Sequence, residues 1–187
     1  GVHVVHPGVD AERFSPAVDG RQMRSRFAPG DGPVLLTVGR LHRRKGHDVA
    51  IDAVGLLRDR FPDLRYVIVG DGRERARLEA QTARLGLTQH VVFAGEVPDA
   101  CLPSLHASCD VFLMPTRQDG DDIEGFGIVF LEAAASGKPV VGGRSGGVPE
   151  TLEDGVTGAL VDGRNPREVA DTLAVILADP SRREARS

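Results

Sequence analysis

Tryptophan is absent and aromatic residues of every kind make up only 4% of the chain. Broad aromatic platforms for stacking bases or holding glycans are therefore not expected. Cysteine is scarce as well. Cys101 and Cys109 stand eight apart, with no CxxC and no Cys/His cluster. That excludes a zinc-finger spacing and a disulfide framework, and leaves two ordinary reduced thiols near a helix. His3, His6, His42, His47, His90 and His106 are scattered without ligand spacing, so no metal is expected. No apolar run approaches the ~20 residues that span a membrane. The chain opens on GVHVVHPGVD without Met or a signal-peptide pattern, which reads as a cut from a longer polypeptide. The net charge of −4 argues against a general nucleic-acid binder but leaves room for a local basic pocket. Internal repeats and low-complexity tracts are lacking too.

What is present is ordinary globular material: 187 residues, 41% apolar and 27% charged, enough for one domain with a proper core. Short apolar runs read as strands at PVLLTVG (33–39), LRYVIVG (64–70), VVFAG (91–95), DVFLMP (110–115), KPVVGG (138–143) and TGALVD (157–162). Helix-like segments lie between them. The first is 46–61, with Val49, Ala53, Leu56 and Leu57 on one side. The next is 73–86, stopped by Gly86. A short one follows at 99–108, with Pro103 tolerated in its first turn. The last two are 128–137, and 166–179 with Pro166 at its start. Continuous apolar strands alternating with helices predict an α/β fold: a doubly wound parallel sheet, Rossmann-like, with ligands at the carboxyl ends of its strands. Residues 1–30, with Pro7, Pro16 and Pro29, read as a linker-like lead-in wrapped on the domain. The end, SRREARS, is expected to fray.

Two glycine patterns suggest phosphate chemistry and fail. VGDGRER (69–75) lacks the last glycine of a dinucleotide fingerprint, having Arg75 there, and no G-x-x-x-x-G-K-[ST] string exists. VGRLHRRKG (38–46) serves better. It leaves the first strand and enters a helix, with Arg40 and Lys45 five apart. A guanidinium, an ammonium and a helix N-terminus together can neutralise the roughly two charges of a pyrophosphate without a metal ion. The plain alternative is four solvated charges, Arg40, Arg43, Arg44 and Lys45, on a surface loop.

EGFGIVFLE (124–132) places a glutamate at each end of an apolar segment. Were it all helix, Glu132 would lie about 80° round from Glu124 and about 12 Å along, off its face. With Glu124 in the glycine-rich turn before the helix, both carboxylates can look along one groove. Gly125 and Gly127 let the backbone approach a ligand, and each carboxylate can accept from neighbouring hydroxyls. A sugar at one end, a ribose at the other and phosphates at the helix start have the shape of a nucleotide-sugar.

E-x7-E at Glu124–Glu132, with G-R-L-x-x-x-K-G at 39–46, resembles the retaining GT-B glycosyltransferases of family 4. Further strings fall in that family's order along essentially the whole chain: HPGVDAERFSP, LRYVIVGDG, VVFAGEVP, ASCDVFLMPT, GKPVVGGRSGGVPETLEDGVTGALVD and the helix before LADP. The resemblance implies that residues 1–187 are the C-terminal, donor-binding half of a GT-B fold, with the N-terminal acceptor domain and the family's last helix outside the chain. Arg40 and Lys45 match the pair that binds the donor diphosphate. Glu124 matches the glutamate on the transferred sugar, and Gly125, Phe126, Gly127, Ile128 and Val129 the backbone that holds sugar and phosphate. Glu132 matches the ribose glutamate, and Val97 a backbone contact to the base.

Asp99 can accept from the paired donors of guanine, which uracil and adenine do not offer. It serves equally well as a plain helix cap. DDIEGFGIVFLEAAASG also resembles the bacterial phosphatidylinositol mannosyltransferases. The resemblance therefore implies mannosyl transfer from GDP-mannose, with no cofactor and no metal. A UDP-sugar donor, or a non-catalytic nucleotide-binding module, is the alternative. The implied partners are the donor and the protein's own N-terminal domain, and no nucleic acid. The implied place is the cytoplasm, with the full-length protein peripheral at the inner membrane face and RLHRRKG touching anionic lipid head groups.

Overall fold

The computed structural model describes residues 7–179. The expectation for SRREARS lies outside them, as do His3 and His6. Six strands form one sheet in the order β3-β2-β1-β4-β5-β6, every neighbouring pair parallel. They are β1 (Val34–Val38), β2 (Arg65–Val69), β3 (Val91–Gly95), β4 (Val111–Met114), β5 (Val140–Gly143) and β6 (Ala159–Val161). The helices are α1 (Arg21–Phe27), α2 (His47–Leu57), α3 (Arg75–Arg84), α4 (Leu102–Ser108), α5 (Ile128–Ala135) and α6 (Pro166–Ala178). This is the doubly wound, Rossmann-like arrangement expected, and the strand order reverses between β1 and β4.

The strands are largely apolar because the sheet is covered on both faces. Leu35 of β1 faces a core built with α2, α3 and α6; Val34, Leu36 and Val38 face a second core built with α4 and α5. Fully burying one such side chain contributes roughly 1.5–3 kcal/mol. Among the described residues no helix is long and apolar enough to cross a membrane.

Two details differ from expectation. Leu56 is 53% exposed, while Ala50, Ile51 and Val54 complete the inward stripe of α2. Seven residues on from Val49, Leu56 sits at the stripe's solvent edge. The lead-in, read as linker, also contains α1. RQMRSRF has three arginines and no buried residue, so no apolar period announces it. Met23 and Phe27, one turn apart, pack half-buried on the second core, and tertiary bonds add to that hold. Arg24 donates to the carbonyls of Ser108 (2.9 Å) and Gly32 (2.7 Å) and pairs with Asp110 at 3.3 Å. Phe14 and Ala28, on either side of α1, are buried in the domain.

Candidate functional site

Two loops meet at the carboxyl ends of β1 and β4, the place where the strand order reverses. The first runs from Gly39 to Gly46. Leu41 is fully buried and its N–H donates to Asp71 (2.9 Å), which anchors the loop's middle. A 3-10 turn, Arg43–Lys45, leads to Gly46, which begins α2 at φ 74°; any Cβ there would stand 1.9 Å from the Pro115 carbonyl oxygen. Only glycine fits, and the fit locks this loop against the one after β4. The Arg117 N–H donates to the Arg44 carbonyl (2.8 Å), and the Arg117 guanidinium grips both oxygens of Asp48 at 2.8 Å each.

The second loop carries Glu124, which lies outside the helix, as expected from its glycine neighbours. Gly127 begins α5 with φ 75°, so Glu124 sits in the turn and Glu132 in the second turn of the helix. The Gly147 N–H donates to the carbonyls of Glu124 (3.2 Å) and Gly125 (2.9 Å), bracing the turn from behind. Gly125 and Ile128 are exposed and Phe126, Gly127 and Val129 half-buried, so the start of α5 is open to solvent.

The charges meet here. Glu124 is only 7% exposed. Its Oε2 takes the Lys45 ammonium at 2.7 Å and also the Arg44 guanidinium. Arg44 Nε lies 2.9 Å from Asp122, and Arg43 Nε 3.9 Å from Asp119. Burial holds the Lys45 ammonium below its ordinary pKa, with Glu124 pulling the other way. A further anion beside the loop would favour the charged form.

The reading of four solvated charges is thus corrected: Lys45 and Arg44 point inward, with 11% and 16% of their side chains exposed, and Arg40 is exposed. Arg44 is the residue that sequence reasoning missed, because its partner is 80 positions away. Beside the pair, His47 is buried, which pushes its pKa down to about 4.

At the other end of α5, Glu132 lies beside the fully buried His106, Oε2 to Nε2 at 3.3 Å. Asp99 is the first residue of a 3-10 turn whose cap position is held by Pro98. The plain helix-cap reading is therefore set aside. Its exposed carboxylate instead receives Arg13 Nη2 at 2.5 Å, and Arg13 also donates to the Asp99 carbonyl at 2.6 Å. Val97 packs at the margin of the second core. Cys101 and Cys109 are free thiols, and burial pushes Cys109 up to about 12. A cavity of about 1030 Å³ lies elsewhere: it opens at the amino ends of β4, β5 and β6, lined by Asp110, Lys138, Val140, Thr157 and Val175 among others.

The glycosyl transferases group 1 family pattern matches residues 19–187. The GDP-mannose-dependent alpha-(1-6)-phosphatidylinositol monomannoside mannosyltransferase of Mycolicibacterium smegmatis is 48% identical over 182 residues, covering 96% of this chain and 48% of that protein. Its Mycobacterium tuberculosis counterpart is 44% identical over 179 residues, covering 94% and 46%. The chain thus spans about half the length of these relatives. Among solved structures, Anabaena HepE in complex with UDP and glucose superposes with a TM-score of 0.84 at 30% identity, over 98% of this chain and 49% of HepE. The C-terminal domain of the group 1 glycosyl transferase LpcC from Francisella tularensis superposes at 0.77 and 26% identity, over 94% of this chain and 91% of that one. A parallel sheet with its charged loops at the strand-order reversal, a glutamate at each end of the E-x7-E segment and a match along nearly the whole chain agree: this chain belongs to the glycosyl transferases group 1 family.

Proposed function

We propose that the chain is the donor-binding half of a retaining GT-B glycosyltransferase that moves mannose from GDP-mannose to an acceptor hydroxyl. The observation that carries this is the Lys45–Glu124 pair at the solvent-open start of α5, in a chain whose relatives are described as GDP-mannose-dependent mannosyltransferases. In this reading Arg40 and Lys45 take the diphosphate and stabilise the negative charge that grows on departing GDP. Glu124, already fixed by Lys45 and Arg44, accepts from the sugar's hydroxyls. The backbone from Gly125 to Val129 holds sugar and phosphate, with the first α5 amides aimed at the anion. Glu132 accepts from the ribose, Val97 meets the base, and Asp99 reads guanine.

The C1–O bond loosens into an oxocarbenium-like state, and the acceptor hydroxyl enters on the same face, giving its proton to a phosphate oxygen of the departing GDP. Glu124 forms no covalent bond, and the charges already present replace a metal ion. The acceptor is held by an N-terminal domain outside this chain, so the chain alone transfers nothing; sugar transfer by the purified chain would overturn that. Two cations of RLHRRKG turn inward and Arg40 takes the diphosphate, leaving Arg43 for an anionic lipid surface at the inner membrane face.

HepE, solved with UDP, supports a UDP-sugar as the second reading. A melting titration with GDP, UDP and ADP separates the two. Selective binding stabilises by roughly 2.7 kcal/mol at a hundredfold excess over Kd. A shift with GDP alone, lost in Lys45→Ala and Glu132→Ala, is the expected result. A shift with UDP alone would move the assignment to the second reading.

A further inference from the structure

The imidazole of His106 is wedged in the second core where α4 packs on α5. Its ring meets Phe14 edge-on at 5.6 Å and Phe112 at a tilt at 5.4 Å, and Phe112 meets Phe130 of α5 edge-on at 5.7 Å. A ring held on both sides by aromatic rings in a close-packed core has little freedom to swing. Its Nε2 faces Glu132 Oε2 at 3.3 Å. Neither atom makes an oriented hydrogen bond, although both are buried. Two unpartnered polar atoms facing each other across that distance are an unfavourable arrangement, unless a small turn of the glutamate completes a bond between them.

We infer that His106 is the positioning residue of Glu132. Its Nε2–H donates to Oε2 and fixes the carboxylate, so that Oε1 is presented to two neighbouring hydroxyls of the nucleoside. The inference rests on the ribose role proposed above for Glu132. A glutamate side chain has three rotatable bonds, and ordering it on binding costs affinity. A carboxylate held beforehand by a rigid buried donor avoids that cost, and a hydrogen bond to a charged oxygen is stronger than a neutral one. Phe14 therefore has a second role, because the lead-in packs against the ring that aims Glu132.

The test is calorimetric binding of GDP and of 2′,3′-dideoxy-GDP to the chain, read as the ratio of the two affinities. The parent is expected to bind GDP at least about tenfold more tightly, the effect of a hydrogen bond to a charged group. His106→Phe keeps an aromatic ring in the core and removes the donor. It is expected to bring the ratio to within about threefold, while affinity for the dideoxy analogue stays at the parent's value. His106→Gln, which can place an amide N–H at the same point, retains most of the ratio. His106→Asn, too short to reach, loses it, so this second pair carries the test should His106→Phe fail to fold. A folded His106→Phe that keeps the tenfold ratio overturns the inference. Glu132→Ala tells the two claims apart. If it lowers the ratio and His106→Phe does not, only the positioning role falls. If it leaves the ratio untouched, or if the parent binds both nucleotides alike or neither, the ribose role falls and the inference with it.

Discussion

The two ends of the sheet each hold a charged pair, and the pairs behave differently. At the amino end, Arg24 and Asp110 are surrounded by structural partners. Arg24 also donates to the Ser108 and Gly32 carbonyls, and Asp110 Oδ2 accepts the Val34 N–H at 2.7 Å. These bonds fasten α1 to the start of β1 and β4. At the carboxyl end, Lys45 and Arg44 share a single oxygen of Glu124, and burial still depresses the Lys45 ammonium. That end also has an open helix start. The cavity of about 1030 Å³ belongs to the amino end. The carboxyl end thus combines buried charges with an open helix start, and that chemistry rather than cavity volume marks the site.

Substitutions at the two ends should separate stability from binding. Asp110→Ala leaves a mostly buried Arg24 without its carboxylate and should cost about 3–5 kcal/mol of folding stability in urea titrations. Affinity for GDP should be unchanged; a loss of affinity as large as the loss of stability would merge the two ends into one site. His47, beside the charged loops, sets the pH behaviour of the carboxyl end. Unfolded, it takes a proton near 6.5; folded, only near 4. Between these values the unfolded chain binds more protons, so stability falls as pH drops from about 6.5 to about 4, by at most about 3 kcal/mol from this group. His47→Gln should flatten that part of the stability–pH curve, and an unchanged slope would count against a neutral buried imidazole.

Lys45→Met should lower GDP affinity by about tenfold to a hundredfold, the worth of one charged contact to phosphate. Folding stability should move by less than about 1 kcal/mol, since Glu124 keeps Arg44 and methionine fills the buried stem's volume. Collapse of the fold instead would make Lys45 another structural staple like Arg24. The smallest effect is expected for Arg13→Ala. Its pair with Asp99 is exposed, so stability should change by less than about 1 kcal/mol, and a larger loss on melting would mean that the lead-in is held mainly by this contact.

Much of this was legible in the sequence because local patterns carried it. Short, largely apolar strands covered on both faces read as continuous runs, which gave the parallel sheet. Gly46 and Gly127 stand at positive φ just before α2 and α5, and their places in the sequence put Glu124 outside the helix. What escaped notice depended on partners far along the chain. Arg44 looked like one surface charge among four until Glu124, 80 residues on, folded against it. His106 looked like a scattered histidine, and its neighbours Phe14, Phe112 and Glu132 come from three other segments. The short helix α1 has only two apolar residues to read, Met23 and Phe27, which pack half-buried on the second core while Arg24 bonds the helix to distant residues.

The most direct test is a crystal structure of the chain with GDP bound. The diphosphate should sit over the start of α5, within hydrogen-bond reach of Lys45 and of the Ile128 and Val129 amides, with the ribose hydroxyls on Glu132 and guanine at Asp99. GDP found in the cavity between α1, α4 and α6, with the carboxyl-end loops unoccupied, would contradict the account at its centre.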